Sequence, residues 1–148
     1  MAAVLIVVGS KSDMDYAEKC RSQLTDLGID SKIVVSSAHR HPQKTADLGT
    51  RAEQDGYDVV IAMAGLAAAL PGTLAAHTDL PVIGVPLPAA LSGLDSLLAI
   101  AQMPPGIPVA TVAIGMPGAK NAAVLAARIM AMKYPEIKHN LQEFRKSL

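Results

Sequence analysis

Short apolar runs recur along the chain at residues 4–8, 33–35, 59–63, 82–85 and 109–114, too short and too rich in valine and isoleucine to read as helices. They are predicted strands. The intervals between them switch to helical spacing. Met14, Ala17, Leu24 and Leu27 fall on one face of a first helix that stops at Gly28, a residue suited to a C-terminal break. Its start, Ser12-Asp13-Met14-Asp15, has the spacing of an N-terminal cap followed by acid in the first turn. Later helices are predicted over residues 43–54, 70–77, 92–101 and 119–132. A last one, over 135–148, sets Ile137, Leu141, Phe144 and Leu148 on one stripe, with Lys138, Arg145 and Lys146 elsewhere. That stripe requires burial, and packing on its own domain or on a neighbouring subunit satisfies the pattern equally.

Strands that alternate with helices imply a parallel sheet covered on both faces and joined by right-handed crossovers. The predicted class is α/β, a three-layer sandwich with a five-stranded parallel sheet of flavodoxin-like type, plus a C-terminal helix. No repeat, linker or low-complexity segment divides the chain, so residues 1–148 read as a single domain, long enough to bury a self-sufficient core. Hydrophobic residues make up 51% of the sequence but aromatics only 3%, which calls for small aliphatic side chains in close helix-to-sheet contact.

Composition also removes whole classes of function. The formal net charge is zero and the basic residues are scattered, so the chain lacks an electrostatic footprint for a nucleic-acid backbone, and few aromatics are present to stack on bases. No nucleic-acid partner is expected. Cys20 is the only cysteine, which rules out an internal disulfide or a thiolate cluster and fits an inert place on the apolar face of the first helix. The opening residues lack the basic region and cleavage site of a secretory signal and read as a strand instead. The longest apolar stretch, 59–76, is interrupted by Gly65, Pro71 and Gly72, so no membrane span is expected and the cytoplasm is the expected location.

The residues that carry chemistry lie where strands hand over to helices, the edge at which open α/β sheets bind ligands. Ser36-Ser37-Ala38-His39-Arg40-His41-Pro42 follows the second strand, and Pro42 suits the first position of the next helix, so His39 and Arg40 fall in the turn. Histidine exchanges a proton near neutral pH, and arginine grips phosphate through two nitrogens. A histidine bonded to a carbonyl, beside an arginine paired with a surface carboxylate, fits the same spacing. After the first strand, Gly9-Ser10-Lys11-Ser12-Asp13 offers free backbone N–H groups and hydroxyls at a helix start, a natural phosphate cradle, although a plain capped helix explains Ser12 and Asp13 as well. It matches neither a Walker loop nor a GxGxxG turn. After the third strand, Ala64-Gly65-Leu66-Ala67-Ala68-Ala69-Leu70-Pro71-Gly72 brings amides and small side chains close to a ligand, or serves tight packing, and holds no acid or base. In Ser92-Gly93-Leu94-Asp95-Ser96-Leu97-Leu98, Asp95 supports a helix start, and the turn Gln102-Met103-Pro104-Pro105-Gly106 is placed to wall a pocket.

Together and in order, these segments resemble a known family. They are Gly-Ser-Lys-Ser-Asp from Gly9, Ser-Ala-His-Arg-x-Pro from Ser37, Leu-Pro-Gly from Leu70 and Pro-Val-Ile-Gly-Val-Pro from Pro81, then Gly-Leu-Asp-Ser-Leu-Leu from Gly93, Gln-Met-Pro-x-Gly-Ile-Pro-Val from Gln102, and Asn121-Ala122-Ala123. The set is similar to the catalytic-subunit family of phosphoribosylaminoimidazole carboxylase, and within it to the 5-(carboxyamino)imidazole ribonucleotide mutases of de novo purine synthesis, over about residues 4–132. The resemblance implies a phosphoribosyl aminoimidazole substrate bound at Gly9, Ser10, Ser12, Asp13, Ser37, Ala38, Arg40, Gly65, Leu66, Ala67 and Leu70. The serine-rich turn and Arg40 would hold the phosphate, and Asp13 the ribose. It further implies His39 as the general acid/base of a carboxyl shift from the exocyclic amine to the adjacent ring carbon, by decarboxylation and recapture of carbon dioxide. No metal and no organic cofactor is implied, and the implied assembly is a homo-octamer. The alternative is the related enzyme that adds carbon dioxide directly to aminoimidazole ribonucleotide. Ala38-His39-Arg40 and Leu70-Pro71-Gly72 follow the mutase branch instead.

Three positions depart from the family's usual third-strand segment, Met63 and Leu66 standing for glycines and Ala69 for a histidine. His39 is then left to serve both proton transfers, with His41, where the family usually has threonine, and His77 read as polar surface or supporting residues. A phosphoacceptor receiver of the same topology needs an aspartate at the end of the third strand, where Met63-Ala64-Gly65 supplies none.

Overall fold

Successive side chains of a strand point to opposite faces, and in this chain both faces are apolar, which requires cover on each side of the sheet. The computed structural model describes residues 1–148 and places β1 (Ala3–Val8), β2 (Asp30–Val35), β3 (Val59–Ala64), β4 (Val82–Pro86) and β5 (Ala110–Thr111) in one sheet. Their order is β2-β1-β3-β4-β5, with every neighbouring pair parallel. Val4, Ile6 and Val8 of β1, with Val59, Ile61 and Met63 of β3, face α1 (Met14–Asp26), α5 (Met116–Met130) and α6 (Pro135–Lys146) in the larger core. Leu5 and Val7, with Val60, Ala62 and Ala64, face α2 (Pro42–Arg51), α3 (Leu70–Ala75) and α4 (Leu94–Ala101) in the smaller one. This is the expected flavodoxin-like architecture.

Small residues set the close packing that the composition called for. α5 buries Ala119, Ala122, Ala123, Ala126 and Ala127 against α1 and the sheet. Gly84 in β4 is needed for the other face: a Cβ there would run into Ile100 of α4 and come within 2.9 Å of Val109. Cys20 is fully buried, and burial pushes its thiol up to about 12, so it is inert core as expected.

Several boundaries differ from the expected ones. The fifth strand is two residues, Ala110–Thr111, rather than 109–114. It is an edge strand paired only to β4, and the chain leaves the ladder after Val112 N–H bonds to the Gly84 carbonyl at 3.2 Å. α5 then starts at Met116, earlier than 119, because Pro117 and Gly118 fit a first helical turn. α2 ends at Arg51 rather than 54, α3 ends before His77, and α4 starts at Leu94 because Ser92 and Gly93 hold φ values of +54° and +89°. The cap of the first helix is also displaced. Ser10 Oγ accepts from the Ser12 N–H at 3.3 Å and caps a 3-10 turn, Lys11–Asp13, whereas Asp13 makes no capping bond at the start of α1. The terminal stripe packs on its own domain through Ile137 and Leu141, leaving Leu148 86% exposed.

At the amino edge of the sheet, Asp58 ties three elements together. It accepts from the Ala3 N–H at 3.3 Å, from Lys133 Nζ at 2.8 Å and from the Tyr134 hydroxyl at 3.1 Å. Partial burial pushes this carboxyl up, but the bonds from Lys133, Ala3 and Tyr134 and the lysine charge outweigh it and hold Asp58 below the usual carboxylate range. A depressed native pKa means stability that is present above the unfolded pKa and lost as pH falls through the native one. Asp58→Asn is therefore expected to lower the unfolding free energy at neutral pH by about 1–2 kcal/mol. The gap to the parent protein should close below about pH 4. Urea unfolding across that range checks it, and a pH-independent gap would contradict the assignment.

Candidate active site

The chain runs from β1 outward to β2, then returns to β3 on the other side of β1, so the strand order reverses between β1 and β3. A crevice opens at the carboxyl edge wherever two such loops diverge. The register brings the exits level, with Val8 of β1 opposite Val35 and Met63, and Ala64 of β3 opposite Pro86. Loops leaving four strands therefore meet around one cleft of about 350 Å³.

From β1 come Gly9, Ser10, Ser12 and Asp13; from β2, Ser37, Ala38, His39 and Arg40; from β3, Gly65, Leu66 and Leu70. Of the expected site residues only Ala67 stays out of the lining, exposed between Leu66 and Ala68. Ala64, Ala68, Ala69, Leu87, Pro88 and Ala89 also line it without having been singled out as site residues. The signal for the last three was positional, since β4 neighbours β3 and its exit must open on the same edge.

The 3-10 turn presents the serine hydroxyls together, Ser10 Oγ 3.0 Å from Ser12 Oγ, at the head of α1 where backbone N–H groups lack helical partners. Asp13 sits beside them, its carboxyl pushed up by burial while a hydrogen bond from the Ser10 backbone pulls it down. The His39 and Arg40 side chains are exposed into the cleft with nothing of the fold to hold. The ion pairs of the molecule lie elsewhere, and the only hydrogen-bonded imidazole is that of His77. The reading of a paired surface arginine beside a carbonyl-bound histidine therefore does not apply.

The turn that carries them is pinned from below by two buried hydroxyls that the sequence reading passed over. Thr45 Oγ1 of α2 lies 3.0 Å from the His41 carbonyl and 3.3 Å from that of Ser37, and Ser36 Oγ lies 2.8 Å from Thr45 Oγ1. Thr45 has one proton, which goes to a carbonyl, so Ser36 donates to Thr45. The Ser37 carbonyl also accepts the His41 N–H at 2.9 Å, and Ser37 Oγ accepts the Arg40 N–H at 3.2 Å. Thr45→Val keeps the volume but strands the Ser36 hydroxyl, an expected cost of about 1–3 kcal/mol. Thr45→Ser should recover most of it. Thermal denaturation of both variants distinguishes the lost hydroxyl from lost packing.

The other histidines lie away from this cleft. His41 is exposed and outside the lining. His77 donates Nδ1–H to the Thr73 carbonyl at 2.8 Å and lines a separate cavity with Asp79, Pro81 and Pro108, residues that lead into β4 and β5 at the opposite edge of the sheet. The proline-rich turn 102–106 is not part of the cleft wall, and Gly106 opens on that second cavity. In the α4 segment the supporting residue is Ser96, whose hydroxyl reaches the Leu87 and Gly93 carbonyls, each at 2.9 Å.

Known proteins resemble this chain over nearly its whole length. The family model for AIR carboxylase matches residues 3–148. The N5-carboxyaminoimidazole ribonucleotide mutase of Pyrococcus abyssi is 52% identical, covering 100% of this chain and 84% of its own length. That of Escherichia coli K12 is 50% identical over 99% of this chain and 87% of its own. The crystal structure of Treponema denticola PurE superposes with a TM-score of 0.88 at 32% identity, covering 99% of this chain and 91% of that one.

Proposed function

The chain belongs to the AIR carboxylase family, and from that premise we propose that it is an N5-carboxyaminoimidazole ribonucleotide mutase of purine biosynthesis, with His39 as its single acid/base. The observation that carries the reading is the meeting of His39, Arg40 and the Ser10–Asp13 turn in one cleft that holds no second imidazole.

In this reading the ribose phosphate lies against the amides and hydroxyls of the turn, with Arg40 closing on its oxygens. Asp13 takes a ribose hydroxyl, and binding offsets the desolvation that its carboxyl already bears. The carbamate C–N bond breaks with its electron pair passing to the amine nitrogen, which takes a proton from His39 as carbon dioxide leaves. The adjacent ring carbon, made nucleophilic by that amine, forms the new C–C bond to carbon dioxide. His39, now a base, removes the ring proton and is restored. The aminoimidazole supplies its own carbon nucleophile, so the sequence of steps calls for no cofactor. Leu91, Leu94 and Leu98 are 73%, 53% and 47% exposed on and before α4, an apolar surface of the kind that self-association covers. The homo-octamer of the family reading would cover it. No helix is long and apolar enough to cross a membrane, and the cytoplasm is the proposed location.

The assay supplies either the N-carboxylated ribonucleotide or the uncarboxylated one with bicarbonate. The mutase reading expects the C-carboxylated product efficiently from the first, and turnover from the second only at high bicarbonate. Efficient turnover of the second at low bicarbonate would favour the direct carboxylase. The double variant His41→Gln with His77→Gln is expected to remain active, and its inactivity with assembly intact would break the single-histidine assignment.

A further inference from the structure

Burying a polar side chain costs free energy unless its hydrogen bonds are met. The protein buries three polar residues, Ser36, Thr45 and Ser96, and places all of them under the loops of one cleft. Ser96 bonds to the carbonyl of Leu87 and Thr45 to that of Ser37, and both Leu87 and Ser37 line the cleft. Thr45 does more than Ser96. Its Oγ1 lies 3.0 Å from the His41 carbonyl and 3.3 Å from that of Ser37, the two residues that bracket Ala38-His39-Arg40. One buried atom therefore underlies both ends of the segment that carries the imidazole. Ser36 Oγ meets that atom at 2.8 Å and is itself anchored on the sheet, its N–H on the Val8 carbonyl at 2.9 Å. Val8 ends β1 and leads directly into Gly9 and Ser10, so these bonds run from the root of the serine turn to the root of the His39 turn. The His41 side chain makes no capping bond at the start of α2, and the hold on that end of the turn comes from Thr45.

Resting on the mutase reading above, we propose that Thr45, tethered by Ser36, is a positioning residue of the reaction, which fixes where the His39 backbone stands relative to the serine turn and so brings the imidazole to the reacting nitrogen and carbon once the phosphate is seated. Proton transfer tolerates little error, because the imidazole must come within hydrogen-bond reach of the atom it serves. The His39 side chain is short and makes no hydrogen bond within the fold, so its place is set by its backbone. Arg40 shares the turn but has a long, rotamer-rich stem that follows a small backbone shift. Loss of the Thr45 hydroxyl should therefore fall on turnover and spare binding.

The test measures the two separately, with turnover of the N-carboxylated ribonucleotide and calorimetric titration of the C-carboxylated product, at a temperature where each variant is fully folded by circular dichroism. Thr45→Val is expected to lower kcat at least about tenfold while product affinity stays within about threefold of the parent value. Thr45→Ser keeps the hydroxyl and should bring kcat back to within about threefold of the parent value. The control is Thr50→Val. Thr50 lies on the same helix, is exposed, and bonds one turn back to the Ala46 carbonyl at 3.0 Å, so the same substitution there should leave kcat unchanged. Ser36→Ala strands no hydroxyl, which keeps the proposal testable if Thr45→Val does not fold, and it is expected to show the same loss confined to kcat, at least about threefold. Parent-like kcat in folded Thr45→Val or Ser36→Ala overturns the proposal. So does an equal fall in turnover and affinity, a Thr45→Ser variant as slow as Thr45→Val, or an equal loss in Thr50→Val. A parent protein that makes no C-carboxylated product overturns the mutase reading itself, and that result is visible before any variant is compared.

Discussion

Asparagine in place of His39 is expected to cut turnover by about two to four orders of magnitude while leaving the melting temperature unchanged. The separation of the two effects follows from where the side chain sits. His39 is exposed in its turn and makes no hydrogen bond, and the turn is held by backbone groups of Ser37, Arg40 and His41 together with the Ser36 and Thr45 hydroxyls. Removing the imidazole therefore takes away proton transfer and little else. The loss should fall on both half-reactions, since one group protonates the amine and then deprotonates the ring carbon. Steady-state turnover of the N-carboxylated ribonucleotide, measured beside a thermal melt, checks both halves of the expectation. Near-normal turnover would remove His39 from the chemistry.

Arg40→Ala is expected to weaken binding of the phosphorylated substrate by about 1.5–3 kcal/mol, the range for a charge-assisted hydrogen bond. Arg40 has no carboxylate partner in the molecule, so its deletion breaks no ion pair and strands no buried acid. The effect should therefore depend on the ligand. A nucleoside lacking the phosphate binds parent and variant alike if Arg40 clamps the phosphate. Equal weakening of both ligands in calorimetric titration would place Arg40 elsewhere in the site.

β2, Asp30–Val35, is an edge strand that is apolar only at 33–35, whereas β1, β3 and β4 were legible because each is a short run without polar or charged side chains, as a parallel sheet buried on both faces needs. The fifth misled for the same reason. Residues 109–114 have the composition of a strand, but an edge position with one neighbour supplies hydrogen bonds for only two of them before the chain turns into α5. Helix ends shifted where backbone conformation rather than periodicity decided them, as at Ser92 and Gly93.

For the candidate site, residue types and the strand-to-helix position marked Ser10, Asp13, His39 and Arg40, and the loops that carry them do converge. Ala67 was expected at the site from the family resemblance, whereas the turn at 65–68 brings Leu66 and Ala68 to the cleft lining and leaves Ala67 out of it. The Ser36–Thr45 pair gave no motif, because two hydroxyls separated by 9 positions become partners only when α2 folds back on the exit of β2.

The sequence by itself determined the class of fold, the family and the identity of the chemical groups, since hydrophobic period and residue type are local properties written along the chain. Only the tertiary structure decided which groups share a cleft. His39 and His77 are the same side chain, and each lies close in sequence to a strand, yet the first follows β2 and the second precedes β4. In a parallel sheet those positions lie at opposite edges, so strand direction places one imidazole at the carboxyl-edge cleft and the other in a separate cavity at the amino edge.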